Sequence, residues 1–244
     1  MQNFYAEITG MDAAMGELRK GLREINEHEE TLLWYTSDNG GLKSNSMGGL
    51  SGKKGNLLEG GIRVPAILEW PAKIPEPRTS SAPCNTSDFY PTLLELAGVP
   101  LPKGQPPLDG ISLVPLIEGK TDIRKKAMGF WDFPAPGRSR RARAMLESLR
   151  KEQQAGEVKP APKEGHVEKQ YSTKSFPGSV AWIDGDWKLL RSKGPPKLFN
   201  LSKDSAEKND MAGKHPEKVA EMQKALLTWQ KSVTHSLNGE DYKK

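Results

Sequence analysis

Apolar side chains recur over residues 3–28 at Phe4, Ile8, Met11, Met15, Leu18, Leu22 and Ile25, in alternating steps of four and three. That spacing lines one face of a helix, so the pattern predicts an amphipathic helix at the start of the chain. A helix there, with no earlier element to pack on, reads as one cut out of something larger. Residues 31–36 (TLLWYT) predict a short buried strand, ended by the polar and glycine residues 37–41. Helix, turn and strand together make a βαβ-type half-unit. Residues 40–61 are glycine-rich and poor in apolar residues, with Leu57 and Leu58 the one adjacent apolar pair, which predicts a long loop of the kind that carries function. Residues 62–70 (IRVPAILEW) predict a second buried strand, followed by a Pro-rich turn. Residues 88–98 predict a helix with Asp88 as N-cap, Pro91 in the first turn and Gly98 closing it.

From Lys125 onward the pattern changes to short strands at 127–133, 179–184, 186–192 and 196–201. Gly185, inside Asp-Gly-Asp, is a tight-turn signal that joins the second and third as a hairpin. Residues 215–234 place Val219, Met222, Leu226, Trp229 and Val233 on one helical stripe. The expectation is a small four-stranded antiparallel sheet closed by a helix, with Trp131, Trp182, Trp187 and Trp229 in its core. Residues 134–178 are dense in Pro, Gly and charged side chains. Their 138–154 part predicts a polar helix and the rest a solvated insertion. The chain is therefore expected to divide into 1–124 and 125–244.

Composition agrees with that insertion. Hydrophobic residues make up 35% and charged residues 27% of the 244, a normal core diluted by a solvated stretch. The net charge of +5 favours anionic partners in general and does not by itself indicate nucleic acid. With Cys84 alone, neither an intrachain disulfide nor a multi-cysteine metal site can form. The first residues lack the pattern of a signal peptide, and no window reaches the ~18–20 apolar residues of a membrane span.

Candidate chemistry sits at the loop. Asp38 and Asn39 follow directly on a predicted strand, and ligands of open α/β sheets bind beyond the carboxyl ends of strands. A carboxylate beside a carboxamide oxygen suits a hard cation, Ca²⁺ or Mg²⁺, although Asp-Asn-Gly-Gly also makes an ordinary turn. Lys53 and Lys54 lie in a glycine-framed loop about fifteen residues on, either as solvated charges or as holders of an oxyanion. A cation and a lysine converging on one pocket would neutralise a doubly charged ester.

The blocks YAEITGMDAAMGEL, TLLWYTSDNGG, GKKGNLLEGGIRVPAILEWPAKI, SDFYPTLLELAGVPLP and LDGISLVPLIEGK together resemble the C-terminal portion of sulfatases in the alkaline phosphatase superfamily. Arylsulfatase and N-acetylgalactosamine-6-sulfatase-like members are the best match. GDWKLLRS and KLFNLSKDSAEKNDMAGKHPEKV resemble that family's C-terminal subdomain. The resemblance implies an α/β fold: the C-terminal part of an alkaline phosphatase-like α/β/α core, then a small four-stranded antiparallel sheet with a C-terminal helix. It implies that Asp38 and Asn39 ligate Ca²⁺, that Lys54, five positions before Glu59, contacts sulfate, and that Glu59, Gly60, Gly61 and Arg63 support the loop. It implies aryl sulfates or sulfated carbohydrates as substrates and a periplasmic, secreted or lysosomal setting.

The family's nucleophile is a formylglycine made from a C/S-x-P-S/A-R block, and no such block occurs here; Cys84 stands in APCNTSDF. The expectation is half of a bipartite site, inactive unless completed by the missing N-terminal half. Two alternatives are a non-catalytic remnant that binds sulfated glycans or an N-terminal partner chain, and a phosphoester or phosphonate hydrolase on the same scaffold. Arg138, Arg140, Arg141, Arg143, Arg150 and Lys151 form a basic cluster, either a solvated helix face or a landing strip for a sulfated polysaccharide.

Overall fold

The computed structural model describes residues 2–42, 46–134 and 171–242, with residues 144, 146, 147, 150, 151 and 154–156. These fall into two units, 1–40 with 63–124, and 41–62 with 125–244. In chain order the elements are α1 (Gln2–Glu24), β1 (Leu33–Thr36), α2 (Glu59–Ile62), β2 (Ala66–Glu69), a 3₁₀ turn (Thr86–Asp88), α3 (Phe89–Leu96) and α4 (Val114–Ile117). Then come β3 (Met128–Asp132), β4 (Ser179–Asp184), β5 (Trp187–Arg191), β6 (Lys197–Asn200) and α5 (Pro216–Leu237).

In the first unit, β1 and β2 form a two-stranded antiparallel ribbon, Leu33 opposite Glu69 and Thr36 opposite Ala66. Both strands were expected to be buried. Instead β1 is half-buried along its length and Ile67 of β2 is 61% exposed. Helix α1 runs as its periodicity requires, and Arg19 reaches Glu69 at 2.7 Å. Its apolar stripe stays largely open, with Phe4, Ile8, Met11, Leu18 and Ile25 all exposed.

The hub of this unit is Asp88, which does not cap α3 with its side chain. Its carboxylate receives Arg124 through both terminal nitrogens, at 2.7 and 3.0 Å, and accepts the backbone N–H groups of Asn85 and Ile111, each at 2.8 Å. The helix-start pattern put the aspartate at the right corner and missed its partner, which lies 36 residues away.

In the second unit the strand order is β3-β4-β5-β6, antiparallel throughout. Gly185, at φ 55, makes the β4–β5 turn. One face of the sheet, carrying Val180, Trp182, Leu189 and Leu198, packs on Met222 and Leu226 of α5, with Trp131, Trp187 and Trp229 against them. Each fully buried aliphatic side chain there contributes about 2 kcal/mol. The opposite face carries Ile183, Lys188 and Phe199 in register, and these three are also buried.

The insertion leaves and returns at one rung, Asp132 opposite Ser179. There the Trp131 indole N–H donates to the Pro177 carbonyl (2.8 Å), and Phe133 stacks edge-on against Tyr171. The Tyr171 backbone exchanges two hydrogen bonds with the side chain of Asn238, just past α5. The described residues 144, 146, 147, 150, 151, 154 and 155 are helical, as the polar-helix reading expects. Arg138, Arg140, Arg141 and Arg143 of the basic cluster lie outside the described residues.

Replacing Arg124 by Met leaves the Asp88 carboxylate buried without its cation. The expected loss is about 3–5 kcal/mol in urea unfolding. A loss below about 1 kcal/mol would show that the pair does not hold the unit together.

Candidate functional site

Lys54 sits on a loop fixed from behind. Its backbone N–H donates to the Gly41 carbonyl at 2.9 Å, and the Asn56 N–H donates to the Lys53 carbonyl at 2.9 Å, closing a turn around it. Two glycines let the loop fold so tightly. A Cβ at Gly60 would stand 2.5 Å from the Ser51 carbonyl oxygen and 2.8 Å from that of Gly52. One at Gly61 would stand 2.7 Å from the Lys53 carbonyl oxygen and collide outright with that of Asn56. Only backbone fits between those oxygens. The Lys54 side chain is exposed and has no partner among the described residues.

Behind the glycines, Glu59 is 4% exposed and points inward. Its Oε1 lies 2.8 Å from Nζ of Lys188, a lysine of β5 whose side chain has no solvent exposure. Nζ also lies 2.8 Å from Oε1 of Glu207, an ion pair by distance without the geometry of a hydrogen bond. The other oxygen of Glu207 accepts the Glu59 backbone N–H at 2.6 Å. Ser51 Oγ adds a bond to the Ala206 carbonyl at 2.5 Å. Glu207 holds a left-handed backbone, φ 54, to reach this place. Burial pushes its carboxyl above the ordinary range, and the Lys188 charge pulls it back. The sequence reading found Glu59 and missed Lys188 and Glu207. The available signal was a lysine within the otherwise apolar run Trp187–Leu190.

Asp38 and Asn39 lie in the first unit, directly after β1. Asp38 is exposed and Asn39 half-buried, and the Ser37 hydroxyl donates to the Asn39 backbone carbonyl at 3.0 Å. Among the described residues neither the Asp38 carboxylate nor the Asn39 carboxamide has a side-chain partner. Two free hard oxygen donors fit a calcium or magnesium ion, as part of the six to eight that calcium takes. No group of three or more His, Cys, Asp or Glu among the described residues could hold a metal unaided. Arg63, just after α2, is exposed and engaged in an interaction. No described helix is long and apolar enough to cross a membrane.

Two family models match the chain: the one described as Sulfatase over residues 1–99, and the one described as N-sulphoglucosamine sulphohydrolase, C-terminal, over residues 52–151. Arylsulfatase A of Homo sapiens is 30% identical over 218 residues, covering 86% of this chain and 39% of that protein. The chain thus spans less than half the length of the curated relatives it matches. Among solved structures, Ps i-CgsB in complex with k-i-k-neocarrahexaose superposes with TM-score 0.66 at 23% identity, over 93% of this chain and 45% of its own. BT4656 in complex with its substrate D-glucosamine-2-N,6-O-disulfate gives 0.61 at 24%, over 97% and 41%. These two likenesses speak to the fold: an alkaline phosphatase-like core portion and the sheet-and-helix subdomain.

Cys84 is exposed, yet desolvation and then the Asp88 charge push its thiol up, against the pull of Arg124. Because the thiolate is the nucleophile, a raised thiol is a poor one at neutral pH. Iodoacetamide is expected to alkylate Cys84 more slowly than free cysteine at neutral pH, with a rate still climbing above the ordinary thiol range. A rate that levels off below that range would contradict this account.

Proposed function

The chain belongs to the sulfatase family, as a C-terminal portion of it, and from that premise we propose that it supplies half of a site for sulfate-ester hydrolysis. Asp38 and Asn39 hold a divalent cation, Ca²⁺ or Mg²⁺, while Lys54 holds a sulfate oxygen of an aryl or carbohydrate sulfate ester. One observation carries the reading. These three side chains are left without protein partners among the described residues, whereas Glu59, Glu207 and Lys188 behind the loop are paired and buried.

The Lys54 ammonium, a compact charge on a sterically fixed turn, offsets negative charge on the sulfate as the ester bond to the leaving oxygen breaks. Asp38 brings one formal negative charge to a bound divalent cation and Asn39 a neutral oxygen, so the pair leaves half of the cation's charge for its remaining ligands. The formylglycine nucleophile of the family has no precursor block in this sequence and would come from other residues.

A second reading is favoured by the open stripe of α1, where Phe4, Met11 and Leu18 are 45, 45 and 47% exposed. A non-catalytic module that pairs with an N-terminal partner chain would use that face.

With a chromogenic aryl sulfate and excess Ca²⁺, the chain alone is expected to show no turnover; measurable turnover would overturn the missing-nucleophile account. Inorganic sulfate should shift the amide resonances of residues 53–56, and Lys54→Ala should weaken that binding about ten-fold, the worth of one charge-assisted hydrogen bond. Ca²⁺ should shift residues 38 and 39. Equal sulfate affinity in Lys54→Ala, or calcium shifts elsewhere only, would sink the assignment.

A further inference from the structure

The loop bearing Lys54 has an anchor that the proposed chemistry does not use. Lys188, with no solvent exposure, stands on the sheet face opposite α5, between Ile183 and Phe199 in the ladder. Its ammonium is met by Glu59 of the loop and by Glu207 of the segment after β6, each at 2.8 Å. Glu207 in turn accepts the Glu59 backbone N–H, and Ala206 accepts the Ser51 hydroxyl. Both ends of the stretch 51–59 are therefore bonded to the C-terminal subdomain, and Lys54 stands between them. We propose that Lys188 is a positioning residue for sulfate binding: it clamps the Lys54 loop to the sheet through Glu59 and Glu207, and so sets where the Lys54 ammonium stands.

Three features argue for positioning over filling. An apolar residue at this strand position would continue the run Trp187–Leu190 without the desolvation of three charged groups, so the charges serve something beyond burial. The contacts are made to the loop's backbone as well as its side chain, which fixes a path and not only a distance. The steric demand at Gly60 and Gly61 then transmits that path toward Lys54, because their close neighbours are the carbonyls of Ser51, Gly52, Lys53 and Asn56.

The inference rests on the proposed role of Lys54, and two readouts separate the claims. Hydrogen exchange followed by mass spectrometry is measured on the whole chain as wild type, Glu59→Gln and Lys188→Met. Sulfate affinity is measured in parallel from the amide shifts of residues 53–56, against sodium chloride of equal ionic strength. The expected result for Glu59→Gln, the milder change, is at least about ten-fold faster exchange over 51–62 and about ten-fold weaker sulfate binding. The peptides of β3 to β6 should keep their protection. Lys188→Met should do the same or more. An unchanged loop in both variants overturns the proposal. So does loosening of sheet and loop together in Glu59→Gln, which marks a purely structural pair, and so does a loosened loop with unchanged sulfate affinity. A wild-type loop blind to sulfate sinks the Lys54 assignment and the positioning role with it, while the exchange data still decide whether Lys188 clamps the loop.

Discussion

A lysine without access to water must find its counter-charges before the sheet around it can close. Lys188 meets that constraint with two glutamates from segments far apart in the chain, 129 residues away in the case of Glu59. Desolvating an ammonium costs several kcal/mol, so the β5 strand, the 41–62 loop and the stretch around Glu207 gain stability only when all three are assembled. A cooperative requirement of this kind explains why the loop belongs with the C-terminal sheet in space although it lies between β1 and β2 in sequence. It also accounts for burial on the sheet face opposite α5, where Lys188 meets Glu59 of the short helix α2.

What the sequence disclosed was local. The β4 strand at 179–184, the Gly185 turn, and the long helices α1 and α5 all follow from periodicities that repeat within a few residues. What it withheld was long-range. Asp88 reads as a helix cap because Ser-Asp before an apolar run is a local signal, and nothing near it announces Arg124. Lys188 reads as an ordinary strand residue, because a strand's alternation marks which side a residue faces and not who waits there. The burial of β1 and β2 was overestimated for a related reason. An apolar run states what would profit from being covered, and the cover itself is not written in the run.

The candidate site shows the same division. Spacing alone left Asp38 and Asn39 as either cation ligands or an ordinary turn, and Lys53 and Lys54 as either oxyanion holders or solvated charges. The roles proposed for Asp38, Asn39 and Lys54 rest on the likeness of several ordered blocks to sulfatases. Glycines 60 and 61 are more transparent in the fold than in the sequence. As letters they are merely loop-forming, yet in space four backbone carbonyls crowd the positions where their side chains would be. Of the charged residues there, Glu59, Glu207 and Lys188 are buried and mutually paired, Arg63 is exposed and engaged, and Asp38 and Lys54 are exposed and without a side-chain partner among the described residues.

The rung at Asp132 and Ser179 closes the sheet before the insertion begins and resumes it after the insertion ends. Trp131, Phe133 and Tyr171 seal that neck, and Asn238 ties it to the end of α5. Everything beyond the neck is topologically a detour. Doubling the length of such a detour costs only about 0.6 kcal/mol in closure entropy. A lineage carrying this subdomain is thus free to lengthen, recompose or exchange that stretch while the sheet keeps its register. The neck works as a socket, at which new sequence can be tried at little risk to the sheet.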